Sequence, residues 1–224
     1  MNSIIESIKQ EIEISNEKNP IRTPMKTGDI RKISSKMFRT LPDKKIDHIL
    51  PLCEALLEEH NWEMKVIAFD WANRVCKQYT KDTYSIFYTW LKKYVRSWGD
   101  CDDFCTHAFG NLLLQYKELF SNVLEWTKDE DFWVRRASAV ILISSLLRND
   151  YDGLMPFEIA NRLMNDNNEL VLKGYGWMLK AFSQVNKEEV IDYLIKNHKN
   201  MPRVSFRYAT EKMDKENRLY LMKL

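Results

Sequence analysis

The sequence predicts an all-α protein built from stacked pairs of antiparallel helices. Apolar residues recur at helical spacing along most of the chain, and the breaks between these stripes are short and polar. Six glycines and six prolines among 224 residues are too few for the many turns of a β-sandwich. Because short links between helices indicate antiparallel neighbours, one helical domain is expected over residues 1–224.

The predicted helices follow one another from residue 46 onwards. In the first, from Ile46 to Leu57, the apolar side chains share one face, and the stripe continues past Pro51. Pro51 is therefore expected to bend this helix without ending it. The same periodicity predicts further helices at Trp62–Tyr79, Thr83–Tyr94, Asp102–Tyr116, Phe132–Leu147, Pro156–Met164, Glu169–Phe182 and Glu188–Asn197.

Composition and charge restrict the class of protein. A hydrophobic fraction of 45% is ordinary for a globular chain and excludes disorder as the main state. No apolar run approaches the roughly 18 residues of a membrane span, and the segment from Met1 to Asn19 is charged throughout, unlike a signal peptide. A cytoplasmic protein is expected. The net charge of +2 leaves a nucleic-acid partner open, because 34 basic and 32 acidic residues can occupy different faces.

Two of the four cysteines raise the question of a metal site. Cys101, Cys105 and His107 lie close together in the sequence. Two sulfurs and one imidazole, without a second Cys or His pair, fall short of the four ligands of a structural zinc site. Buried, reduced thiols are therefore predicted, in keeping with a cytoplasmic location, and no metal or cofactor is expected.

Three segments align at helix starts and define an internal repeat. Each follows an acidic or Asn-rich turn and carries a large apolar residue, then a cation three positions on, then a small residue: Trp62–Ala68, Trp133–Ala139 and Leu170–Gly176. Their starts lie 71 and 37 residues apart, close to two periods and one of a two-helix, HEAT-like solenoid. The small residues Ala68, Ala139 and Gly176 predict a close approach of neighbouring helices.

The cations of the repeat are candidate phosphate contacts. Lys65, Arg136 and Lys173 stand at the same repeat position, near the start of a helix. A cation there opposes the helix dipole at a cost of about 0.3 kcal/mol or more. Three such placements favour a basic row along a concave face that meets a phosphate backbone. The alternative, three solvated side chains without a role, stays open.

A further signal comes from four segments in a fixed order: Ser97–Phe104, Trp133–Ala137, Gly174–Lys180 and Met201–Ala209. Together they resemble the AlkD-type DNA alkylation repair glycosylases, and the resemblance runs from about Thr27 to Met213. It implies a HEAT-like helical solenoid with a basic concave face that binds duplex DNA containing alkylated purines. It also implies a monofunctional hydrolase that removes N3- and N7-alkylated purines and needs no metal or cofactor.

The resemblance also implies a role for individual residues. By motif, the catalytic aspartate is Asp102, four residues after Trp98, and it would stabilise the positive charge that develops on the sugar. Trp98 and Trp177 would cradle the deoxyribose, since an aromatic face stabilises a cation by roughly 0.5–2 kcal/mol. Arg136 would hold the neighbouring phosphate. The expected additional DNA contacts are Lys65, Arg135, Lys173, Arg203 and Arg207.

Each of these residues has a structural alternative. The tryptophans could be core anchors, and Asp102 could cap the helix that runs to Tyr116. Asp100 and Asp103 flank Asp102, which leaves open which of the three acids acts, and Arg135 competes with Arg136 for the phosphate.

Two other functions stay open at this point: a non-catalytic scaffold, and a protein that binds damaged DNA without cleaving the glycosidic bond. Convergence of Trp98, Asp102, Arg136 and Trp177 on one exposed patch favours the enzyme, whereas buried and scattered tryptophans favour the scaffold. A steep salt dependence of DNA binding would separate a DNA binder from a scaffold. The lack of long exposed apolar stripes predicts a monomer.

Overall fold

The computed structural model describes residues 2–18 and 25–224, and every regular element within these ranges is helical. The all-α prediction is therefore confirmed. Contacts between Cα atoms group the chain into two compact units, Met1–Tyr94 and Val95–Leu224. The single-domain expectation over residues 1–224 stays a prediction.

None of the described helices combines the length and the apolar character that crossing a membrane requires.

Five α-helices are described in the first unit: α1 (Asn2–Lys18), α2 (Thr27–Thr40), α3 (Ile46–Leu57), α4 (Trp62–Arg74) and α5 (Thr83–Tyr94). The bounds of α3 and α5 are those expected from the sequence, and Pro51 lies inside α3. The helix α4 ends at Arg74, before the predicted Tyr79, and a short 3-10 turn follows it. The helices α1 and α2 were not predicted.

Ten α-helices are described in the second unit: α6 (Trp98–Thr106), α7 (Ala108–Gln115), α8 (Phe120–Trp126), α9 (Phe132–Val140), α10 (Ile143–Leu147), α11 (Pro156–Leu163), α12 (Glu169–Phe182), α13 (Lys187–Asn197), α14 (Arg203–Ala209) and α15 (Lys215–Leu221). The predicted helix from Phe132 to Leu147 is two helices, α9 and α10. The predicted helix that ends at Tyr116 is also two, because His107 lies between α6 and α7 with φ −119° and ψ −93°.

The start of α6 differs from the sequence-based expectation. Ser97 has extended backbone angles, and its hydroxyl accepts a hydrogen bond from the Asp100 backbone N–H at 3.1 Å. The Asp100 carboxylate in turn accepts one from the backbone N–H of Arg96 at 2.9 Å. The first contact satisfies an N–H group of the first turn that has no helical partner, and the second binds the residue before the cap to the same turn. The interpretation of Asp102 as the cap is therefore wrong, and Asp102 is the fifth residue of α6.

The second unit contains a row of four helices that contact one another in the order α6, α9, α12, α14. They begin at residues 98, 132, 169 and 203, which are 34, 37 and 34 residues apart. The fifth residue of each helix stands at the same repeat position, and these residues are Asp102, Arg136, Lys173 and Arg207. The sequence analysis found repeat starts at residues 62 and 133, and the start of α6 at residue 98 lies midway between them.

Gly176 allows two helices of this row to approach closely. A Cβ atom at this position of α12 would lie 2.8 Å from the Ser205 backbone oxygen and 2.8 Å from the Cβ of Tyr208, both on α14. Real Cβ atoms do not tolerate such distances. The close approach predicted at this small repeat position is confirmed, and it brings Tyr208 against α12.

We expect Gly176→Ala to lower the free energy of unfolding by about 1–3 kcal/mol, because the backbone of α14 must shift. This decrease is a net value: the cost of moving α14 is expected to be larger than the roughly 1 kcal/mol by which alanine stabilises a helix relative to glycine. Unfolding in urea measures the change. Gly28→Ala is the matched control, since a Cβ at this position of α2 meets nothing within 4 Å. Equal effects of the two substitutions would contradict the packing argument.

Candidate active site

A pocket of about 380 Å³ in the second unit is formed by residues of α6, α9, α12 and α14. Its lining residues are Trp98, Asp102, Arg136, Leu170, Lys173, Trp177, Lys180 and Tyr208. All four residues that the sequence analysis assigned as catalytic therefore lie in one pocket. They come from three helices that begin at successive repeat positions, which explains how residues 98 and 177 line the same pocket.

Asp102 and Arg136 form a bidentate ion pair in this pocket. The Arg136 Nη2 lies 2.7 Å from Oδ1 and 2.9 Å from Oδ2 of Asp102, and its Nε lies 3.1 Å from Oδ1. The remaining nitrogen, Nη1, donates to the backbone carbonyl of Leu170. The two residues face each other because both are the fifth residue of adjacent helices. Such a planar pair fixes the orientation of the carboxylate.

Gly174 makes room for the Arg136 side chain. A Cβ atom at residue 174 would lie 3.2 Å from Cγ and 3.3 Å from Nη1 of Arg136. The guanidinium group therefore lies directly against the backbone of α12, where it also reaches the Leu170 carbonyl. The sequence placed Gly174 within a recognised motif, and the structure supplies the physical reason for a glycine there.

Burial raises the pKa of Asp102 above the ordinary value of an aspartate. The charge and hydrogen bonds of Arg136 act in the opposite direction, and the nearby charge of Asp103 adds to the rise. Desolvation disfavours the ionised form, whereas an adjacent cation favours it. Asp102 is thus a poorly hydrated carboxylate that a guanidinium group holds in place.

The two predicted tryptophans are not core anchors. Trp98 is 63% exposed at the start of α6, and Trp177 on α12 is half-buried. Both indoles line the pocket that contains Asp102. An exposed indole and a partly buried carboxylate in one pocket present an aromatic face and a fixed negative charge side by side.

The three neighbouring acids of α6 have different surroundings. Asp100 is buried in the helix cap, and the Asp103 carboxylate lies 3.3 Å from the Nδ1 atom of His107. Neither of them lines the pocket, whereas Asp102 does. Of the three, Asp102 is the acid that a ligand in the pocket would meet.

Three of the cations predicted to contact DNA have accessible side chains in the second unit. Lys173 lines the pocket, with its Nζ 2.6 Å from a carboxylate oxygen of Glu169. Arg203 and Arg207 on α14 are exposed. Arg203 donates to the backbone carbonyl of Met222 at 2.7 Å. These placements are compatible with contacts to a DNA backbone, and that role stays a prediction.

The two other predicted cations are differently placed. Arg135 uses its guanidinium group within the chain: it lies 2.6 Å from the Asp166 carboxylate and donates to the carbonyls of Asp129 and Glu130. It anchors the turn that precedes α9. Lys65 belongs to the first unit and is only 7% exposed. The sequence pattern could not predict how far Arg135 and Lys65 are buried, because tertiary contacts determine the exposure of each side chain.

The predicted site residues did not include three residues of the pocket: Leu170, Lys180 and Tyr208. Lys180 has a half-buried ammonium group 2.6 Å from a Glu211 carboxylate oxygen and 5.6 Å from the centre of the Tyr208 ring. Its spacing from Lys173 and Trp177 places all three on one face of α12, so helical periodicity could have found it. Tyr208 lies in the Met201–Ala209 segment, but that segment did not indicate a role for it, because only the contact of α14 with α12 brings it to the pocket.

The cysteines near the site are buried thiols, as predicted. Cys101 and Cys105 are inaccessible, and the Cys101 Sγ lies 3.9 Å from the Trp133 carbonyl oxygen. Burial raises the pKa of the Cys105 thiol well above its ordinary value. Over residues 2–18 and 25–224, no three His, Cys, Asp or Glu side chains are grouped in a way that could hold a metal ion.

Comparison with known proteins identifies the family of the chain. The family model of the DNA alkylation repair enzymes matches residues 23–213. No curated protein matches the chain. Among solved structures, the fold is similar to one described as "Predicted DNA alkylation repair enzyme from Enterococcus faecalis", with a TM-score of 0.71 and 14% identity over 85% of this chain and 87% of that one. The matched residues span most of the sequence, and the chain therefore belongs to the DNA alkylation repair enzyme family.

Proposed function

We propose that this protein is a DNA glycosylase that excises N3- and N7-alkylated purines from duplex DNA by hydrolysis of the N-glycosidic bond. The observation that carries the proposal is the pocket in which the Asp102 carboxylate lies together with the indoles of Trp98 and Trp177. Membership of the DNA alkylation repair enzyme family supports the choice of substrate class.

The chemistry of the lesion fits the groups in the pocket. Alkylation at N3 or N7 makes the purine cationic, so the base leaves with the electron pair of the glycosidic bond and becomes neutral. Positive charge then develops on the sugar at C1′. Water forms the new bond to C1′ and releases a proton to solvent. A catalyst for this reaction has to stabilise the charge on the sugar and needs little acid catalysis.

Asp102 is suited to stabilising that charge. Its carboxylate is partly desolvated and held by Arg136, so it does not have to reorient as charge develops. Preorganised groups in a site with little water act more strongly than the same groups in bulk solvent. The indole faces of Trp98 and Trp177 would add cation–π stabilisation from the sides.

The geometry favours this function over a non-catalytic scaffold. A scaffold would keep its tryptophans in the core, whereas the Trp98 indole is largely exposed beside an ion pair. A protein that only binds damaged DNA would share this surface. It differs from the enzyme in its product, so base release is the deciding measurement.

We expect the purified protein to release N7-methylguanine or N3-methyladenine from methylated duplex DNA in the presence of EDTA, because no step of this chemistry needs a metal. Chromatography of the released bases measures the product. Methylated DNA without protein corrects for spontaneous depurination, and unmethylated duplex should yield no free base. If the protein stayed inert while another member of the family was active under the same conditions, the proposal would fail.

A further inference from the structure

Arg136 has few means of contacting a DNA phosphate. All three of its side-chain nitrogens donate within the chain, to Asp102 and to the Leu170 carbonyl, and the residue is 5% exposed. A phosphate oxygen would have to compete with a carboxylate that is already bound in bidentate geometry. The cations that meet the backbone of a bound strand are therefore to be sought elsewhere in the pocket.

Two lysines of α12 are placed for this contact. Lys173 and Lys180 both line the pocket, with Trp177 between them on the same helix face. Seven residues of helix separate their Cα atoms by roughly 10 Å along the axis, and each ammonium group is carried on a flexible four-carbon stem. A nucleotide whose sugar rests on the Trp177 indole would thus have a cation on either side.

In the structure, each of these lysines is paired with an acid outside the pocket. Lys173 lies 2.6 Å from a Glu169 carboxylate oxygen, and Lys180 lies 2.6 Å from one of Glu211. The carboxylates of Glu169 and Glu211 are 66% and 52% exposed. The lysine side chains are less accessible, at 31% for Lys173 and 17% for Lys180, but the exposed carboxylates can return to water when they leave, and water screens their side of the pair. A phosphate, which carries a full charge and several acceptor oxygens, can displace these carboxylates at small cost.

We propose that Lys173 and Lys180, rather than Arg136, hold the phosphates that flank the target nucleotide, and that Glu169 and Glu211 occupy the two ammonium groups until DNA displaces them. The inference rests on the proposed function in taking duplex DNA as the partner. The two acids then act as competitors of the DNA backbone and set how tightly the pocket holds a strand.

The test is the binding of undamaged duplex DNA to the full chain, measured across a range of salt concentrations. Each phosphate contact adds about 0.9 to the slope of log affinity against log salt. Lys173→Met and Lys180→Met should each weaken binding and reduce the slope by about 1. Glu169→Gln and Glu211→Gln should each strengthen binding about threefold at low salt, since the competing charge is removed.

A matched lysine–glutamate pair outside the pocket provides the control. Lys128 and Glu125 are both exposed and lie 2.9 Å apart in the same unit, and neither lines the pocket. Lys128→Met and Glu125→Gln should leave the affinity and the slope unchanged. On methylated duplex, the two pocket variants Lys173→Met and Lys180→Met should raise KM more than they lower kcat.

The outcomes separate this inference from the proposed function. If the wild-type protein releases alkylated bases but both pocket-lysine variants keep its slope, the inference is overturned and the glycosylase stands. If Arg136→Met lowers the slope while Lys173→Met and Lys180→Met do not, the phosphate contact belongs to Arg136 and the inference is again overturned. If the slope depends on both lysines but no base is released, the phosphate contacts are supported and the glycosylase assignment falls.

Discussion

Replacement of Asp102 by asparagine is expected to slow the release of N7-methylguanine about a hundredfold, which corresponds to about 3 kcal/mol of lost transition-state stabilisation. The amide keeps the shape of the carboxylate and an oxygen that can accept a hydrogen bond from Arg136. It loses the negative charge that faces the pocket. Binding of undamaged duplex DNA should persist, because the phosphate contacts proposed for this pocket come from α12.

The matched control is Asp103→Asn, the same chemical change at the next residue of α6. Asp103 faces His107 and does not line the pocket, so excision should stay close to the wild-type rate. Single-turnover release of base, with circular dichroism to verify folding, measures both variants. Full activity of Asp102→Asn would move the role away from Asp102: to Asp103 if Asp103→Asn is slow, and otherwise to Asp100, which is buried in the helix cap, or to no acid at all.

The sequence could predict the helical class and most of the site because both depend on local spacing. The apolar period placed α3, α5 and α12 at their observed bounds. The apolar period did not predict the helix bounds that are set by a local cap or by a break in the helical backbone. A continuous apolar stripe does not reveal that Ser97 starts α6, or that the chain breaks at His107.

The roles of the repeat cations could not be assigned from the sequence and required knowledge of the fold. The three repeat cations looked equivalent in the sequence, yet Lys65 is buried, Arg136 is bound to Asp102, and Lys173 lines the pocket. The fifth position of α6 carries an acid where α9 and α12 carry cations, and for that reason the sequence alignment missed the repeat at residue 98. The ion pair between Asp102 and Arg136 follows from this exchange of charge at one repeat position.

Removal of Arg136 should have the largest effect on stability. We expect Arg136→Met to lower the free energy of unfolding by about 3 kcal/mol at neutral pH, because it leaves a partly buried carboxylate without its cation. Excision should also fall, since the Asp102 carboxylate loses the group that orients it. The double variant Asp102→Asn/Arg136→Met should recover much of the stability but not the activity, because it removes both charges together.

Arg135→Met is the matched control, because Arg135 forms a comparable ion pair with Asp166 away from the pocket. It should also destabilise the protein. Its effect on excision by the folded fraction should be small, because Asp166 does not line the pocket. Equal losses of activity in the two variants would show that Arg136 acts through stability alone.

The pH dependence of the Arg136 variant distinguishes a positioning role from a purely structural one. Burial raises the pKa of Asp102, and Arg136 opposes that rise, so its removal should raise the pKa further. Asp102 then takes up its proton at a higher pH, and the acid limb of the excision profile should shift upward in Arg136→Met but not in Arg135→Met. A raised pKa in the folded state also means that the folded protein binds the proton more tightly than the unfolded chain. The destabilisation by Arg136→Met should therefore shrink as the pH falls through this pKa, and a stability loss that is independent of pH would contradict the assignment of the unpaired charge to Asp102.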